Sequence, residues 1–345
     1  MGIPRFSRWL AEVFPDAFSC TARLEMDHVY IDMNTVLHEV LQSLGKARDG
    51  PSESSLITAV MKRLDEILDD IRPCRSVFLA IDGPAVCAKI PLQRRRRCER
   101  TAAPQSQQKG SKRKGHGRSK GQQSHGSKGG AGCVTSNMLT PGVPFMAQVS
   151  ASLESYCQVR MGLGGEGCIK RWHGCIEARV SSASSAGEGE HKIAAAMVCN
   201  EARARAAGDE TRTHAVVGAD SDLFLLPLGP HKVAKRAWIV VPQMSNYRVC
   251  DIAALLRSIQ AQWQRLGSRC PPGLTAAAAA LSANKGPAPH TALTEEGERT
   301  LRRDFILVSL MRGNDYLPPL SCDCGPENLW PRYLQWRCGA TPDLG

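Results

Sequence analysis

No two of the fourteen cysteines stand at the Cys-x-x-Cys spacing. Disulfide scaffolds belong to short secreted chains, and 345 residues can build a core without one. Reduced, mostly buried thiols are expected, and with them an intracellular protein. Cys168, His173 and Cys175 are the best set for a structural zinc, and their spacing matches no common zinc pattern. No apolar run approaches the length of a membrane span. The opening Met1-Gly2-Ile3-Pro4-Arg5-Phe6 lacks the continuous apolar stretch of a signal peptide, and Phe6 stands where a myristoylation signal wants Ser or Thr. No membrane association is expected. A Gly-x-Ser-x-Gly turn, a Cys/His signature and a Walker phosphate loop are also missing, so covalent catalysis and P-loop chemistry have no support.

What is present is a set of seven carboxylates in five short blocks: Tyr30-Ile-Asp32-Met-Asn34, Ala80-Ile-Asp82-Gly83, Gly187-Glu188-Gly-Glu190-His-Lys192, Gly218-Ala-Asp220-Ser-Asp222-Leu223 and Gly313-Asn-Asp315-Tyr316. Three blocks follow runs of strand-forming residues, Val29–Ile31, Val77–Ile81 and Ala215–Val217. Acids at the ends of buried strands are not ordinary surface acids. Gathered in one place they repel one another unless cations hold them, and hard ions with oxygen ligands, Mg²⁺ or Mn²⁺, match them. The chain around them is basic, with 44 Lys and Arg against 33 Asp and Glu and a net charge of +11. That balance suits a polyanion held outside a metal site.

Periodicity gives the organisation. Helices are expected from Pro4 to Phe14, from Asn34 to Leu44 and from Ser54 to Ile71, the last stopped by Pro73. Thr140-Pro141 predicts the start of a helix running to about Met161, His191–Ala207 another, and Leu301–Met311 a third that delivers Asp315. Strands are expected at His28–Ile31, Val77–Ile81, Ala215–Val217 and Trp238–Val241. Strands alternating with helices predict an α/β fold, a mostly parallel sheet with helices on both faces. Ligands bind such sheets at the carboxyl ends of the strands, where Asp32, Asp82, Asp220 and Asp222 fall. Residues 101–133 carry seven positive charges, no acid and almost no large apolar residue, and read as a disordered basic insertion. Residues 274–292 are rich in Ala and Pro and read as a second insertion.

Asp220 and Asp222 leave a strand two residues apart, so both can point the same way. Glu188 and Glu190 flank Gly189 just before a helix, where the backbone can bend both toward one centre. Helix capping accounts for one acid per site, not for two pairs and three singles. Two divalent ions about 4 Å apart would activate a water and stabilise both oxygens of an in-line phosphodiester displacement. After Asp82 comes a run in which Lys89, Gln93, Arg96, Arg97 and Arg100 share a helical face. Arginine forks suit phosphate, so this face is a candidate pocket for a terminal phosphate.

In this order the blocks resemble the Xrn-type 5′→3′ exoribonucleases. The likeness takes in Met1-Gly-Ile-Pro-Arg-Phe-x-Arg-Trp9, Tyr30–Asn34, Ile81–Gly83 with Ala88-Lys89 and Gln93–Arg97, Gly187–Lys192, Ala219–Leu223 and Gly313–Pro318. It implies a nuclease domain over residues 1–345, interrupted by the two insertions, with a Rossmann-like core of PIN/FEN type. It also implies that Asp32, Asp82, Glu188, Glu190, Asp220, Asp222 and Asp315 ligate two Mg²⁺ ions, for which Mn²⁺ can substitute. Lys89, Gln93, Arg96 and Arg97 then hold a 5′-monophosphate, and His38, six residues after Asp32, stacks on a base. The implied substrate is single-stranded RNA ending in a 5′-monophosphate, degraded 5′→3′.

There are departures. Thr35 and Val36 replace the Gly-Ile-like pair that usually follows Asp-Met-Asn. A serine-rich lead precedes Gly187, and the basic insertion directly follows the phosphate-binding run. The family normally continues past Asp315 with a second conserved block, so a fragment or a shortened paralogue is expected. Two other readings stand beside the first: an RNA-binding paralogue without catalysis, and a flap-type DNA endonuclease. Lys112-Arg113-Lys114 leans toward the nucleus.

Overall fold

The computed structural model describes residues 2–3, 5–45, 50–102, 133–163, 172, 177–209, 212–229, 233, 235–243, 246–267, 294–320 and 326–337. Strand β2 (Leu24–Asp32) lies inside a seven-stranded sheet, with strands bonded on both sides. Tyr30 and Ile31 are wholly buried, as a strand covered on both faces requires. It pairs in parallel with β3 (Ile71–Ala80) on one side and β5 (His214–Val217) on the other. β4 (Glu177–Ser181) extends the sheet beyond β3, and β6 (Ala237–Pro242) beyond β5, both parallel. The mostly parallel α/β sheet expected from the sequence is therefore present. Its far edge differs. β7 (Tyr247–Asp251) and β1 (Phe18–Thr21) add two antiparallel strands, which the alternation of strand and helix did not announce.

Alternation along β2 sorts the core into two halves. Val29 and Ile31 join one cluster with Leu37 of α2 (Met33–Leu44), Leu64 of α3 (Glu53–Asp70) and Leu153 of α5 (Pro144–Arg160). Tyr30 joins the other with Phe6 and Trp9 of α1 (Phe6–Val13) and Ile193 of α6 (Gly189–Ala206). That cluster also holds Leu255 of α7 (Ile252–Gly267), Phe305 of α8 (Glu295–Leu310) and Trp330 of α9 (Pro326–Arg337). The basic helix α4 (Ile90–Ala102) follows β3.

Several boundaries move, each for a local reason. α3 ends at Asp70, and Pro73 lies inside β3 instead of stopping the helix. β4 joins β3 only from Ser76 onward, so at Pro73 one side of the strand has no partner to bond. α5 starts at Pro144, because Gly142 adopts φ +87 and breaks the turn begun at Thr140-Pro141. α6 starts at Gly189, two residues earlier than predicted, which puts Glu190 in its first turn. Residues 103–132 of the first predicted insertion, the whole of the second, and Cys168, His173 and Cys175 lie outside the described residues; Cys133 forms an isolated backbone β-bridge with Ser52. No helix among the described residues is long and apolar enough to cross a membrane.

Candidate active site

Strand register brings the acids together. Asp32 is the last residue of β2 and pairs with Ala80, two residues before Asp82. Ile31 pairs with Val217, three residues before Asp220. These chain exits open on one cavity of about 200 Å³, continuous with solvent. Its walls hold Asp32, Asp82, Glu188, Glu190, Asp220, Asp222 and Asp315, and also His38, Lys89, Gln93 and Arg96. The seven acids, His38, Lys89, Gln93 and Arg96 therefore face the same space, whereas the side chains of Arg97 and Arg100 lie outside the described residues.

Backbone and side-chain bonds fix the acids. The Asp32 carboxylate accepts from the Asn34 N–H at 3.0 Å and from the Thr35 hydroxyl at 2.7 Å. Asp82 accepts from the Gly189 N–H at 2.7 Å and from the Asn34 amide, whose oxygen accepts the Asp82 N–H. The loop behind Asp82 is tied down by Lys192, whose ammonium donates to the carbonyls of Ile81 at 2.7 Å and Ser182 at 2.9 Å. Glu188 occupies the N-cap position of α6 without making a capping bond, so capping does not explain it. Its Oε1 is buried and has no hydrogen-bond partner among the described residues. Lys89 is buried between Glu188 Oε2 at 2.5 Å and Asp315 Oδ2 at 2.9 Å. Arg96 forks onto Asp315 at 2.7 and 3.4 Å. The basic face and the acids are thus directly linked through Lys89 and Arg96.

The electrostatics follow from burial and crowding. Burial, then Asp82 and Asp220, push Asp32 up to about 7. Burial, then Asp222, push Glu190 up to about 8. Asp82 and Asp222 are raised as well, mainly by burial. Asp315 goes the other way. Burial opposes its charge, but Arg96 and Lys89 outweigh burial and hold it below the ordinary carboxylate range. Seven acids against Lys89 and Arg96 in the lining leave a large excess of negative charge. That excess, the orphaned Glu188 oxygen and the all-oxygen donor set of the carboxylates fit hard divalent cations. Glu188, Glu190 and His191 also offer ligand atoms within 4.8 Å of one another.

Residues 1–236 match the family described as XRN 5'-3' exonuclease N-terminus. The chain belongs to the XRN family. Among its relatives, a 5'-3' exoribonuclease 2 homolog of Caenorhabditis elegans is 30% identical over 67% of this chain and 25% of its own length. A 5'-3' exoribonuclease 2 of Kluyveromyces lactis is 26% identical over 93% of this chain and 34% of its own length. A 5'-3' exoribonuclease 1 of Schizosaccharomyces pombe is 26% identical over 93% of this chain and 22% of its own length. This XRN chain therefore spans between 22% and 34% of the length of these relatives. A solved structure, the catalytic core of Rad2 in complex with DNA substrate, overlaps at TM-score 0.44 and 13% identity, covering 96% of this chain and 68% of that one. Six of the seven acids lie within the XRN match and Asp315 lies beyond it.

Sequence reasoning missed the N-terminal clamp on this XRN site. The Ile3 N–H donates to Asp222 Oδ1 at 3.1 Å, and the Ser221 hydroxyl donates back to the Ile3 carbonyl at 2.9 Å. Gly2 lines the cavity, and a Cβ there would collide with the Asp222 carboxylate. Ile3 and Phe6, both buried, anchor the segment. Gly2→Ala is expected to displace Asp222 and lower any turnover at this site by about 10²-fold, with the circular dichroism spectrum unchanged. Turnover equal to that of the parent would show that the clamp does not matter. The signal was available in principle, as a small residue beside a buried anchor, but nothing local names its partner.

The raised acids also set a pH dependence. A carboxylate whose folded pKa lies above its unfolded value binds more protons when folded, so its ionisation destabilises the fold as pH rises. Without metal, stability is expected to rise from pH 8 to about pH 6.5, by on the order of 1–2 kcal/mol, as Glu190 and Asp32 take up protons. Below that pH two buried histidines oppose the trend. Burial holds His28 at about 4 and His214 at about 3, so unfolding gains protons there. Melting curves in EDTA between pH 5 and 8 test this, and a midpoint that climbs steadily to pH 8 would contradict it.

Proposed function

We propose that this chain is the nuclease region of a 5′→3′ exoribonuclease that hydrolyses single-stranded RNA from a 5′-monophosphate end with two divalent cations. The carrying observation is that seven acids and the basic face of α4 share one cavity, joined through Lys89 and Arg96. The curated relatives are named 5'-3' exoribonucleases, which supports the same reading. Mg²⁺ is the natural occupant, with Mn²⁺ as substitute, held by Asp32, Asp82, Glu188, Glu190, Asp220, Asp222 and Asp315. The chemistry such cations supply when held here is activation of water and neutralisation of charge at the scissile phosphate.

The chain's own groups do the rest. Lys89, Gln93 and Arg96 receive the terminal phosphate, and the Arg96 fork is oriented for it by Asp315. His38, on the first turns of α2 and in the cavity wall, offers its ring to a base. Asn34 and Lys192 keep Asp82 in place. Residues 1–345 would form one nuclease domain carrying two insertions, and Lys112-Arg113-Lys114 would direct it to the nucleus, which a fluorescent fusion lacking that tripeptide tests.

One RNA prepared with a 5′-monophosphate, a 5′-hydroxyl or a cap and incubated with Mg²⁺ or EDTA tests the activity. Decay of the monophosphorylated form alone, and only with Mg²⁺, is the expected result. Binding without decay in every condition would replace the proposal with a non-catalytic RNA-binding role. Cleavage of branched DNA in preference to RNA would replace it with flap-type endonuclease activity.

A further inference from the structure

Glu188 is treated unequally at its two oxygens. Oε2 accepts from the Lys89 ammonium at 2.5 Å and from the Tyr316 hydroxyl at 3.3 Å. Oε1 is buried and accepts from no donor among the described residues, although Glu188 lines the cavity and is 5% exposed. A carboxylate with one oxygen occupied by two donors cannot rotate freely and presents the other oxygen as its available ligand.

Tyr316 is built to make this contact. Gly313 turns the chain with φ +84, and a Cβ there would meet the backbone of Pro319 at 2.6 Å. The Asn314 side-chain oxygen accepts from the N–H groups of Tyr316 at 2.9 Å and Leu317 at 2.8 Å, and the Asn314 N–H donates to the Leu317 carbonyl at 2.9 Å. The ring is then held from two sides. The Lys89 ammonium lies 5.5 Å from its centroid, and the His191 ring meets it edge-on at 6.4 Å. At neutral pH a phenol is protonated and can donate to an acid.

We propose that Tyr316 is a positioning residue for Glu188: with Lys89 it saturates Oε2, so that Oε1 is the oxygen offered to a cation. This rests on the metal-dependent reading given above. The hydroxyl is the critical group; the ring sets its place.

Tyr316→Phe removes the hydroxyl and keeps the ring contacts. Titration with Mn²⁺ by calorimetry is expected to show affinity about tenfold weaker than the parent. The KM for monophosphorylated RNA should stay within about twofold while kcat falls, because phosphate-binding groups are untouched. The melting temperature in EDTA should not change. Tyr316→Leu, which removes the ring as well, should weaken Mn²⁺ no further than Phe does. Parent-like Mn²⁺ affinity in Tyr316→Phe overturns the inference and leaves the metal reading standing. So does a much larger loss in Tyr316→Leu, which would assign the effect to the ring. A parent chain that binds no Mn²⁺ overturns both.

Discussion

Asp220→Ala is expected to abolish RNA decay, raise the thermal stability of the metal-free chain and leave RNA binding intact. Three separate readouts follow from one position. Asp220 sits where the chain leaves β5, and its charge helps push up Asp32, Asp82, Glu190 and Asp222. Removing it takes away a repulsion felt by four neighbours, so the melting temperature in EDTA should rise by a few degrees. The same removal deletes an oxygen donor from the cavity, so the stabilisation gained on adding Mg²⁺ or Mn²⁺ should shrink. Turnover should fall by at least ~10³-fold, equivalent to about 4 kcal/mol of barrier. RNA affinity should hold or tighten slightly, since a negative charge near a polyanion is lost. Opposite signs for stability and activity separate a functional acid from a structural one. A destabilised apo chain, or undiminished decay, would mean that these acids are not a strained cation site.

How much of this was legible follows from which interactions are local. An apolar run ending in an acid is a local pattern, and it correctly located β2, β3 and β5 and the acids at their exits. Helical spacing is also local, and it placed Lys89, Gln93 and Arg96 on one wall. The antiparallel edge was hidden because β1 is short and half-exposed, with a polar Ser19 and Thr21 and no apolar periodicity to read. Pro73 misled because its meaning depends on whether a neighbour bonds at that point, which is a property of the sheet and not of the strand. The Ile3 to Asp222 bond spans 219 positions, and the Arg96 to Asp315 fork spans another 219. Neither has a spacing rule. The second one changes the chemistry. Asp315 read as one more acid of the cation site; in the fold it lines the same cavity and is also ion-paired to Lys89 and Arg96 of the basic face.

That pairing underlies the other large effect expected. Arg96→Ala should erase the preference for a 5′-monophosphate over a 5′-hydroxyl end. The Arg96 guanidinium carries five donors in a planar fork, and two are used on Asp315, leaving others for a terminal phosphate. A charge-assisted bond of this kind contributes about 1.5–3 kcal/mol, so kcat/KM for the monophosphorylated end should fall by roughly 10–10²-fold, mostly through KM. The hydroxyl end never used that bond and should change little. Arg96→Lys should recover only a small part, because an ammonium lacks the planar fork that makes two bonds to Asp315 and still presents donors to a phosphate. Lys89→Gln should be worse in a different way. Lys89 is the buried cation between Glu188 and Asp315, and its ammonium is held well above its ordinary range because those two acids outweigh the cost of burial. Its loss leaves two buried acids without their shared counter-charge, so kcat should fall while KM rises. The ratio of kcat/KM for the two RNA ends, measured across these three variants, decides it. A ratio unmoved by Arg96→Ala would put the phosphate pocket somewhere other than α4.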